Sequence, residues 1–289
     1  MKVTVLAENT AANENLESEH GLSILVQLKR VVILFDTGCG EMFIQNAKKL
    51  DVDLAKVTHL ILSHGHYDHG GGIEAFFRVN EKAKVYLREE AFSKLYAIRT
   101  GGEAEDSGIT WGFSDNNPRT EYIGIPQALE GNPRLVFTHD NMRIAEGATL
   151  FSEFRLSEPI PDTNQYLMIQ EGDELLPDSF VHEQVAEIVE DGKILLLTGC
   201  SHHGIVNILK DYGEKTGQSP DVVIGGFHLH SHTHGRAEDS VLDSVAGYLA
   251  ETEARYCTCH CTGLPAYEEL KKRLGEQITY VSGGQVLIL

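Results

Sequence analysis

The sequence predicts an α/β fold in which buried strands alternate with amphipathic helices. Long apolar runs such as VTVLAE and VVILF are typical of strands that are buried on both faces. Segments with helical spacing follow several of these runs, and polar clusters rich in histidine separate strand from helix. The 289 residues and the 42% hydrophobic content suffice for a large packed core. We therefore expect one α/β domain over residues 1–289.

The elements of the first half follow this alternation. Strands are predicted over VTVLAE, over two segments of GLSILVQLKRVVILFDTG, and over VTHLILS. Helices are predicted over MFIQNAKKL and GGIEAFFRV. The motif SHGHYDHGGG lies between VTHLILS and GGIEAFFRV, at the carboxyl end of a strand. Open α/β sheets bind ligands at that end, so this position favours a functional site.

Residues 86–180 interrupt the pattern, because RTGGEAEDSG, SDNNPRT and LPDSF are rich in turn residues. We interpret this segment as an insertion or cap within the domain. It contains Trp111, Phe113 and Tyr122, which would form either a small local core or part of a pocket wall.

The second half repeats the order of strand, histidine and helix. QVAEIVE and KILLLT flank Asp191-Gly192, a dipeptide that is favoured in tight hairpins. KILLLT then leads through GCSHHG to IVNILKDYG, and PDVVIGG leads through FHLH to AEDSVLDSVAGYLAE. Finally, ARYCTC leads through His260 to PAYEELKKRL, a helix with Pro265 near its first turn. Packing alone does not explain why histidine follows strand after strand.

Composition limits the classes of partner. With 24 Lys+Arg against 43 Asp+Glu, the net charge of −19 repels a phosphate backbone and disfavours nucleic acid. No apolar run approaches the roughly 20 residues that span a bilayer, and MKVTVLAENT lacks a basic leader, so we expect a cytoplasmic protein without a membrane partner. The five cysteines are an odd number in a large chain, which favours free or metal-associated thiols. The oligomeric state is not predicted.

Four potential metal ligands crowd the motif SHGHYDHGGG, namely His64, His66, Asp68 and His69. His64 and His66 can point to one side of an extended segment and hold one ion, while Asp68 and His69 can hold a second beyond a bend. Two ions about 3.5 to 4 Å apart would share a water molecule and lower its pKa. The sequence therefore predicts two divalent ions. Zinc is expected, although manganese or iron also accepts histidine and aspartate.

The remaining ligands must come from later loops. His202 and His260 each follow an apolar strand and precede a helix, so they are the leading candidates. His182 in FVHEQVAEIV could complete the ligands of the first ion. Cys200 could bind or bridge as a thiolate, or serve only as a small buried hydrophobic residue.

Two further groups are open to more than one interpretation. Asp36 ends a strand in FDTG, where it would orient a ligating histidine or act as an ordinary turn residue. The segment CTCHC suggests a separate metal site. In an extended segment, however, its three cysteines would share one face and leave His260 on the other, which disfavours such a site.

The motif SHGHYDHGGG resembles the His-x-His-x-Asp-His signature of the metallo-β-lactamase superfamily, and FDTG, KILLLTGCSH and CHCTG stand in the expected order around it. The resemblance implies a four-layer αβ/βα sandwich with a two-metal site at one edge between two sheets. It implies that His64, His66, Asp68 and His69 are ligands, and that Asp68 also orients the attacking water. The superfamily usually has an aspartate bridging the metals after the strand corresponding to KILLLTG, where this chain has Cys200.

Further motifs, EHGLS, HEQ, TGCSHHGIVN, GGFHL and HCTG, are similar to a branch labelled 7,8-dihydropterin-6-methyl-4-(β-D-ribofuranosyl)aminobenzene 5′-phosphate synthase-like. Our preferred hypothesis is a hydrolase of a phosphorylated or phosphodiester small molecule, with a metal-bound hydroxide as nucleophile. One alternative is a synthase or lyase acting on a pterin or a ribofuranosylaminobenzene phosphate. Another is a non-catalytic sensor of metal or nucleotide.

His228 follows the strand VVIGG and belongs to the GGFHL motif, which places it near the predicted site. The six predicted ligands are already enough for three on each ion, namely His64, His66, Asp68, His69, His202 and His260. We therefore expect His228 to contact the anionic part of the substrate, or to stabilise charge on the leaving oxygen.

Overall fold

The structure is a computed structural model that describes residues 1–99, 118–231, 233 and 235–289. Its strands are β1 (Lys2–Ala7), β2 (Ser23–Gln27), β3 (Val32–Phe35), β4 (His59–Ile61), β5 (Lys84–Leu87), β6 (Leu95–Arg99), β7 (Arg119–Tyr122), β8 (Leu135–Phe137), β9 (Met142–Ala145), β10 (Ala148–Phe151), β11 (Leu167–Glu171), β12 (Glu174–Pro177), β13 (Val185–Glu190), β14 (Lys193–Leu197), β15 (Val222–Gly225), β16 (His230–Ser231), β17 (Gly235–Arg236), β18 (Arg255–Thr258), β19 (Ile278–Tyr280) and β20 (Val286–Ile288). Its helices are α1 (Met42–Lys49), α2 (Tyr67–Gly70), α3 (Ile73–Val79), α4 (Ile205–Thr216), α5 (Asp239–Ala250) and α6 (Leu264–Leu274). Each strand and helix predicted from the sequence has a counterpart among them.

Two seven-stranded sheets form the centre of the fold. The first has the order β20-β1-β2-β3-β4-β5-β8, and the second has the order β19-β18-β15-β14-β13-β10-β9. In each sheet, neighbouring strands joined through a helix run parallel, as in β3–β4, β4–β5, β14–β15 and β15–β18. The tight hairpins β2–β3 and β13–β14 are antiparallel. The two halves of the chain therefore build two similar mixed sheets.

Alternating side chains join these sheets into four layers. On β3, Ile33 and Phe35 face the second sheet, whereas Leu34 packs with the helices of the first half. On β14, Leu195 likewise packs between the sheets, whereas Leu196 packs with α4, α5 and α6. Each such fully buried side chain contributes about 1.5 to 3 kcal/mol to folding. Both faces of both sheets are covered, which confirms the predicted αβ/βα sandwich.

Glycines in left-handed conformations end the elements where the sequence predicts turns. Asp191 and Gly192 have φ values of 52° and 77°, as the tight β13–β14 hairpin requires. Gly217 ends α4 with φ 68°. None of the described helices is long and apolar enough to cross a membrane.

Residues 86–180, predicted as one insertion or cap, are divided among three sheets in the structure. β5 and β8 extend the first large sheet, and β9 and β10 extend the second. Only β6, β7, β11 and β12 form a separate four-stranded sheet, which has its own small core. Strands β5 and β8 continue the parallel ladder of β4, so this part of the segment belongs to the central fold.

Of the three aromatic residues singled out in this segment, one lies among the described residues. Trp111 and Phe113 lie outside the described residues. Tyr122 is 41% exposed on β7, where its hydroxyl donates to the Ile125 carbonyl oxygen at 3.0 Å. It packs at the edge of the separate sheet beside Tyr96 and does not line the cavity described below.

Candidate metal centre

The predicted ligands meet at one end of the central sheets, because each follows a strand that ends there. The loop after β4 contains His64 and His66, the loop after β14 contains His202, and the turn after β18 contains His260. β14, β15 and β18 run parallel, so their carboxyl ends lie at the same edge of the second sheet. All six predicted ligands are buried at this end: His64, His66, Asp68, His69, His202 and His260.

Three imidazoles form a first ligand group. The Nε2 atom of His64 lies 3.0 Å from Nδ1 of His66 and 3.3 Å from Nε2 of His202. In a tetrahedral zinc site with Zn–N distances of about 2.0 to 2.1 Å, two nitrogen ligands lie roughly 3.3 Å apart. The three nitrogens therefore fit one small cation.

Asp68, His69 and His260 form a second ligand group beside the first. The two Nε2 atoms of His69 and His260 lie 3.1 Å apart. The Oδ2 atom of Asp68 lies 3.3 Å from Nε2 of His260 and 3.7 Å from Nε2 of His69. The rings of His64 and His69 have centroids only 4.1 Å apart, so the two groups are neighbours. This arrangement can hold two cations side by side.

Asp36 orients one histidine of each group. Its Oδ2 atom lies 2.7 Å from Nδ1 of His69 and 2.7 Å from the hydroxyl of Ser63, and that hydroxyl lies 2.9 Å from Nδ1 of His64. If both Nδ1 atoms carry their protons, His69 donates to Asp36 directly, and His64 donates through Ser63. Each ring then leaves an unprotonated Nε2 facing the other ligands. This geometry corresponds to the orienting role expected for Asp36.

Two asparagines that the sequence analysis did not single out orient the remaining histidines. The Oδ1 atom of Asn164 accepts from Nδ1 of His202 at 2.8 Å, and its amide donates to the His202 carbonyl at 2.8 Å. The Oδ1 atom of Asn9 accepts from Nδ1 of His260 at 2.8 Å. Both asparagines are remote in sequence from the histidines that they contact, so no local pattern indicates them.

Two of the oriented rings, those of His64 and His202, present lone pairs to each other. Their Nδ1 protons are already used in the hydrogen bonds described above, so a neutral imidazole has none left on Nε2. Unprotonated Nε2 atoms nevertheless face each other at 3.3 Å between these two histidines. Such lone pairs repel unless a cation lies between them. The donor set therefore fits a metal.

The electrostatics of the two groups differ. Burial and, after it, neighbouring histidines lower the pKa of all three histidines of the first group, to about 3 for His66. Neutral imidazole is the form that binds a metal. In the second group, burial alone would lower the pKa of His69, but the carboxylates of Asp68 and Asp36 raise it to about 9. The second group thus carries the negative charge that would compensate a cation.

His20, which the sequence analysis did not select, completes the network around Asp68. Its Nε2 atom lies 3.3 Å from Oδ2 of Asp68, and its Nδ1 atom lies 3.3 Å from the Asn9 amide nitrogen. Asn9 therefore connects His20 with His260. His20 lies in the EHGLS motif, and an added Cβ at the Gly21 that follows would lie 2.9 Å from the Asp68 carbonyl oxygen.

Cys200 lies between the two groups. Its sulfur is 3.2 Å from Nε2 of His69, and it can share a cation with His64 and His69. The side chain is buried, which raises the pKa of its thiol in the absence of a cation. Cys200 thus stands where an aspartate bridge was expected from the family resemblance.

His182 and His203 lie beside the centre and form hydrogen bonds with other groups. Nδ1 of His182 accepts from the Gly65 amide at 3.1 Å, and Nε2 lies 3.0 Å from Asp178. With both nitrogens engaged, His182 supports the ligand loop and has no lone pair left for an ion. Nδ1 of His203 lies 2.7 Å from Glu183, whose carboxylate also accepts from the His202 amide.

His228 belongs to neither group. Its ring lies 4.2 Å from that of His202 between centroids, next to the sulfurs of Cys200 and Cys261. The position of Cys261 corrects the expectation that the three cysteines of CTCHC share one face. His260 adopts a left-handed conformation with φ 52°, so the chain turns there. Cys261 consequently points towards the centre, whereas Cys257 and Cys259 pack between the sheets.

A cavity of about 590 Å³, counted with its open mouth, leads to both groups. Residues of the separate four-stranded sheet, Ala97, Arg99 and Leu167, line one side of it. His20 and His228 line other parts of the wall. Part of the segment predicted as a cap thus borders the site.

The family profile described as the metallo-beta-lactamase superfamily matches residues 18–243, which is most of the chain. The chain belongs to the metallo-beta-lactamase superfamily. The resemblance inferred from SHGHYDHGGG is thereby confirmed. The metallo-beta-lactamase fold implies that divalent metal is bound, and the groups described above supply suitable ligands.

Individual superfamily members are similar over the full length. A 7,8-dihydropterin-6-methyl-4-(beta-D-ribofuranosyl)-aminobenzene-5'-phosphate synthase from Methanocaldococcus jannaschii is 27% identical, and the match covers 99% of this chain and 96% of the relative. The crystal structure of Tm1679, a metal-dependent hydrolase of the beta-lactamase superfamily, is 28% identical with a TM-score of 0.79, covering 100% and 99% of the two chains. Zinc-bound PqqB from Methylobacterium extorquens is 12% identical with a TM-score of 0.58 and full coverage of both chains, a likeness in fold alone.

Proposed function

We propose that this protein is a two-metal hydrolase that acts on a phosphorylated or phosphodiester small molecule. The observation that carries the proposal is the pair of adjacent ligand groups, in which Nε2 atoms of different histidines face one another at 3.1 and 3.3 Å. The six ligands exceed the four positions of a tetrahedral ion, so we infer two ions and not one.

Each group has a complete set of three protein ligands. His64, His66 and His202 would hold one ion, and Asp68, His69 and His260 would hold the other. Zinc suits three nitrogen ligands and an open position, while manganese or iron would accept the same donors. Two bound divalent ions would supply an activated water molecule and positive charge for phosphoryl oxygens.

The chain's own residues position the reacting groups. Asp68 is held by His20 at 3.3 Å and has its carboxylate at the inner end of the cavity. We infer that Asp68 orients the attacking water as well as binding an ion. The buried and hydrogen-bonded ligand rings hold these groups rigid, which favours reaction because no reorganisation is needed.

The cavity wall supports an anionic small molecule as the substrate. Arg99 and His228 stand on it, and Ala97, Ile123 and Leu167 add an apolar surface. Arg99 is 17% exposed and pairs with Glu121 at 2.8 Å, which holds the guanidinium in place. Because Glu121 offsets much of the Arg99 charge, the two bound cations would supply most of the positive charge that attracts an anion to a chain with a net charge of −19.

A synthase is the second candidate, because the relative of that name is similar over 99% of this chain. The same two-metal centre would then act as a Lewis acid while the aminobenzene nitrogen of a ribofuranosylaminobenzene phosphate displaces a leaving group, such as a phosphate or diphosphate, from the methyl carbon of a pterin. The two candidates differ in whether water is a reactant, so they can be separated by product analysis.

The test uses the metal-loaded protein with phosphomonoesters, phosphodiesters, and a mixture of a ribofuranosylaminobenzene phosphate with a dihydropterin whose methyl carbon carries a phosphate or diphosphate leaving group. Release of phosphate or alcohol supports the hydrolase, whereas formation of the coupled product identified by mass spectrometry supports the synthase. His64→Ala and His69→Ala should each lose one ion and abolish turnover without unfolding the protein. Retention of both ions and of activity in these variants would contradict either candidate.

A further inference from the structure

A third group of soft ligands lies beside the two groups described above. The sulfurs of Cys200 and Cys261 and a ring nitrogen of His228 all lie within 4.8 Å of one another. The three side chains are buried, with exposed fractions of 2%, 5% and 8%. They come from the ends of three neighbouring parallel strands, β14, β15 and β18.

The His228 ring has no other use among the described residues. Neither of its nitrogens makes a hydrogen bond of ordinary geometry with them, although the side chain is more than nine-tenths buried. An unsatisfied imidazole buried in this way costs about 1 to 3 kcal/mol. A ligand between His228 and the two sulfurs would remove that cost.

The surrounding backbone is shaped to hold this group. His228 adopts the left-handed conformation with φ 46°, and its carbonyl accepts a hydrogen bond from the buried Thr163 hydroxyl. The His228 amide donates to the Cys261 sulfur at 3.3 Å. A Cβ at Gly226 would lie 2.4 Å from that sulfur, so only glycine leaves room for the thiol there. The backbone conformation therefore holds the three side chains in this arrangement.

We propose that Cys200, His228 and Cys261 form a third metal site, which binds a soft or borderline divalent cation such as zinc. In a tetrahedral zinc site with Zn–S of about 2.3 Å and Zn–N of about 2.0 Å, such ligand atoms lie roughly 3.5 to 3.8 Å apart, within the observed limit. Thiolate ligands select zinc over hard cations such as magnesium. The cavity that all three residues line offers the fourth position to water or substrate.

Cys200 connects this site with the other two. Its sulfur belongs both to the group of His64 and His69 and to the group of His228 and Cys261. The proposal of a third ion thus rests on the two-metal centre proposed above. The thiolate of Cys200 would be a ligand shared between that centre and the third ion. His228 would then act on an anionic substrate through the ion that it holds, and not through direct contact.

Cobalt is a suitable probe, because thiolate-bound Co²⁺ shows a near-ultraviolet charge-transfer band that nitrogen and oxygen ligands do not give. We expect the metal-free, reduced protein to bind three equivalents of Co²⁺ in equilibrium dialysis and to show this band. Cys261→Ser and His228→Ala should each bind two equivalents. Cys261→Ser should also lose about half of the band, because one of two thiolate ligands is gone. Cys257→Ser is the matched control, since Cys257 lies on β18, the strand that precedes Cys261, but packs between the sheets, and it should keep three equivalents.

The outcomes separate this proposal from the two-metal centre. A wild-type protein that saturates at two equivalents overturns the third site and leaves the proposed hydrolase intact. If Cys261→Ser binds three equivalents of Co²⁺ and keeps the band unchanged, the third site is likewise overturned. If His228→Ala binds three equivalents, His228 is not a ligand, and the direct contact with the substrate that the sequence predicts stands again. If His64→Ala and His69→Ala keep all their ions, the two-metal centre itself fails, whatever Cys261→Ser does. Thermal melting of each variant shows that it has folded.

Discussion

Single buried acceptors set the orientation of the ligand histidines. Asp36 is fully buried and receives hydrogen bonds from the Ser63 amide, the Ser63 hydroxyl and Nδ1 of His69, each at 2.7 Å. It thereby orients His69 directly and His64 through Ser63. One carboxylate thus orients a ligand in each group. Its loss should therefore weaken metal binding at both positions.

Asp36→Asn should weaken metal binding by about 10- to 100-fold, because the amide offers one acceptor oxygen where two are used. Competition with a chromogenic chelator measures the affinity. Asp191→Asn is the control, since Asp191 is 68% exposed in a turn and pairs only with Lys29 at its side chain. Equal affinities of the two variants would show that Asp36 does not position the ligands.

Asp178 provides a pH-dependent test at the residue scale. Burial alone would raise its pKa, but His182, the hydrogen bond at 3.0 Å and the Phe180 amide lower it. A lowered carboxyl pKa stabilises the fold above the unfolded value of about 3.9, and this stability is lost as the pH falls through the folded value. Asp178→Asn should therefore reduce the free energy of unfolding by about 1 to 3 kcal/mol at pH 7. Urea unfolding of both proteins should show this difference shrinking below about pH 4, and a difference that stays constant would contradict the assignment.

Elements of this fold end where the backbone needs a left-handed residue. The β13–β14 hairpin turns at Asp191 and Gly192, both with positive φ, and α4 ends at Gly217 in the same way. At such positions the conformation, and not the available space, restricts substitution. Gly192 is an example, because an added Cβ would meet no atom within 4 Å.

Two exposed glycines test this distinction. Gly192→Ala should destabilise the protein by about 1 to 2 kcal/mol, because alanine is strained at φ 77°. Gly247→Ala should stabilise it by about 0.5 to 1 kcal/mol, because Gly247 lies inside α5 with open space around it and alanine is the better helix former. Chemical unfolding measures both changes. Effects of the same sign would refute the conformational explanation.

At the scale of the whole molecule, the ligand groups join the two halves of the chain. The first group combines His64 and His66 from the first half with His202 from the second, and the second group combines Asp68 and His69 with His260. A bound ion therefore links loops from both large sheets. It should stabilise the folded protein as a whole and not only one loop.

Removal of metal by a chelator should lower the melting temperature, since binding at a free ion concentration of 100 Kd contributes about 2.7 kcal/mol. Differential scanning calorimetry with and without chelator measures this, and acidification should act in the same direction because protons compete for imidazole. The double variant His64→Ala/His69→Ala is the control, and the chelator should lower its melting temperature by less than that of the wild type. Identical melting of the wild type with and without chelator would exclude a stabilising ion.

The sequence by itself determined the α/β class, the order of elements and the SHGHYDHGGG ligand motif. Apolar runs, helical spacing and turn dipeptides act over a few residues, so they can be recognised without knowledge of the fold. The placement of His202 and His260 at strand ends was also sufficient to select them as candidates. The division of residues 86–180 could not be predicted, because strand pairing depends on partners remote in the chain.

Only the tertiary structure decided which groups meet around these ligands. It brought Asn9 and His20 to His260 and Asp68, and it engaged both nitrogens of His182 elsewhere. It also turned Cys261 towards Cys200, through one left-handed residue that an extended-strand pattern does not reveal. These contacts join segments that are far apart in sequence, and burial gives them their strength. Periodicity describes a single element, whereas a metal centre is made where several elements end.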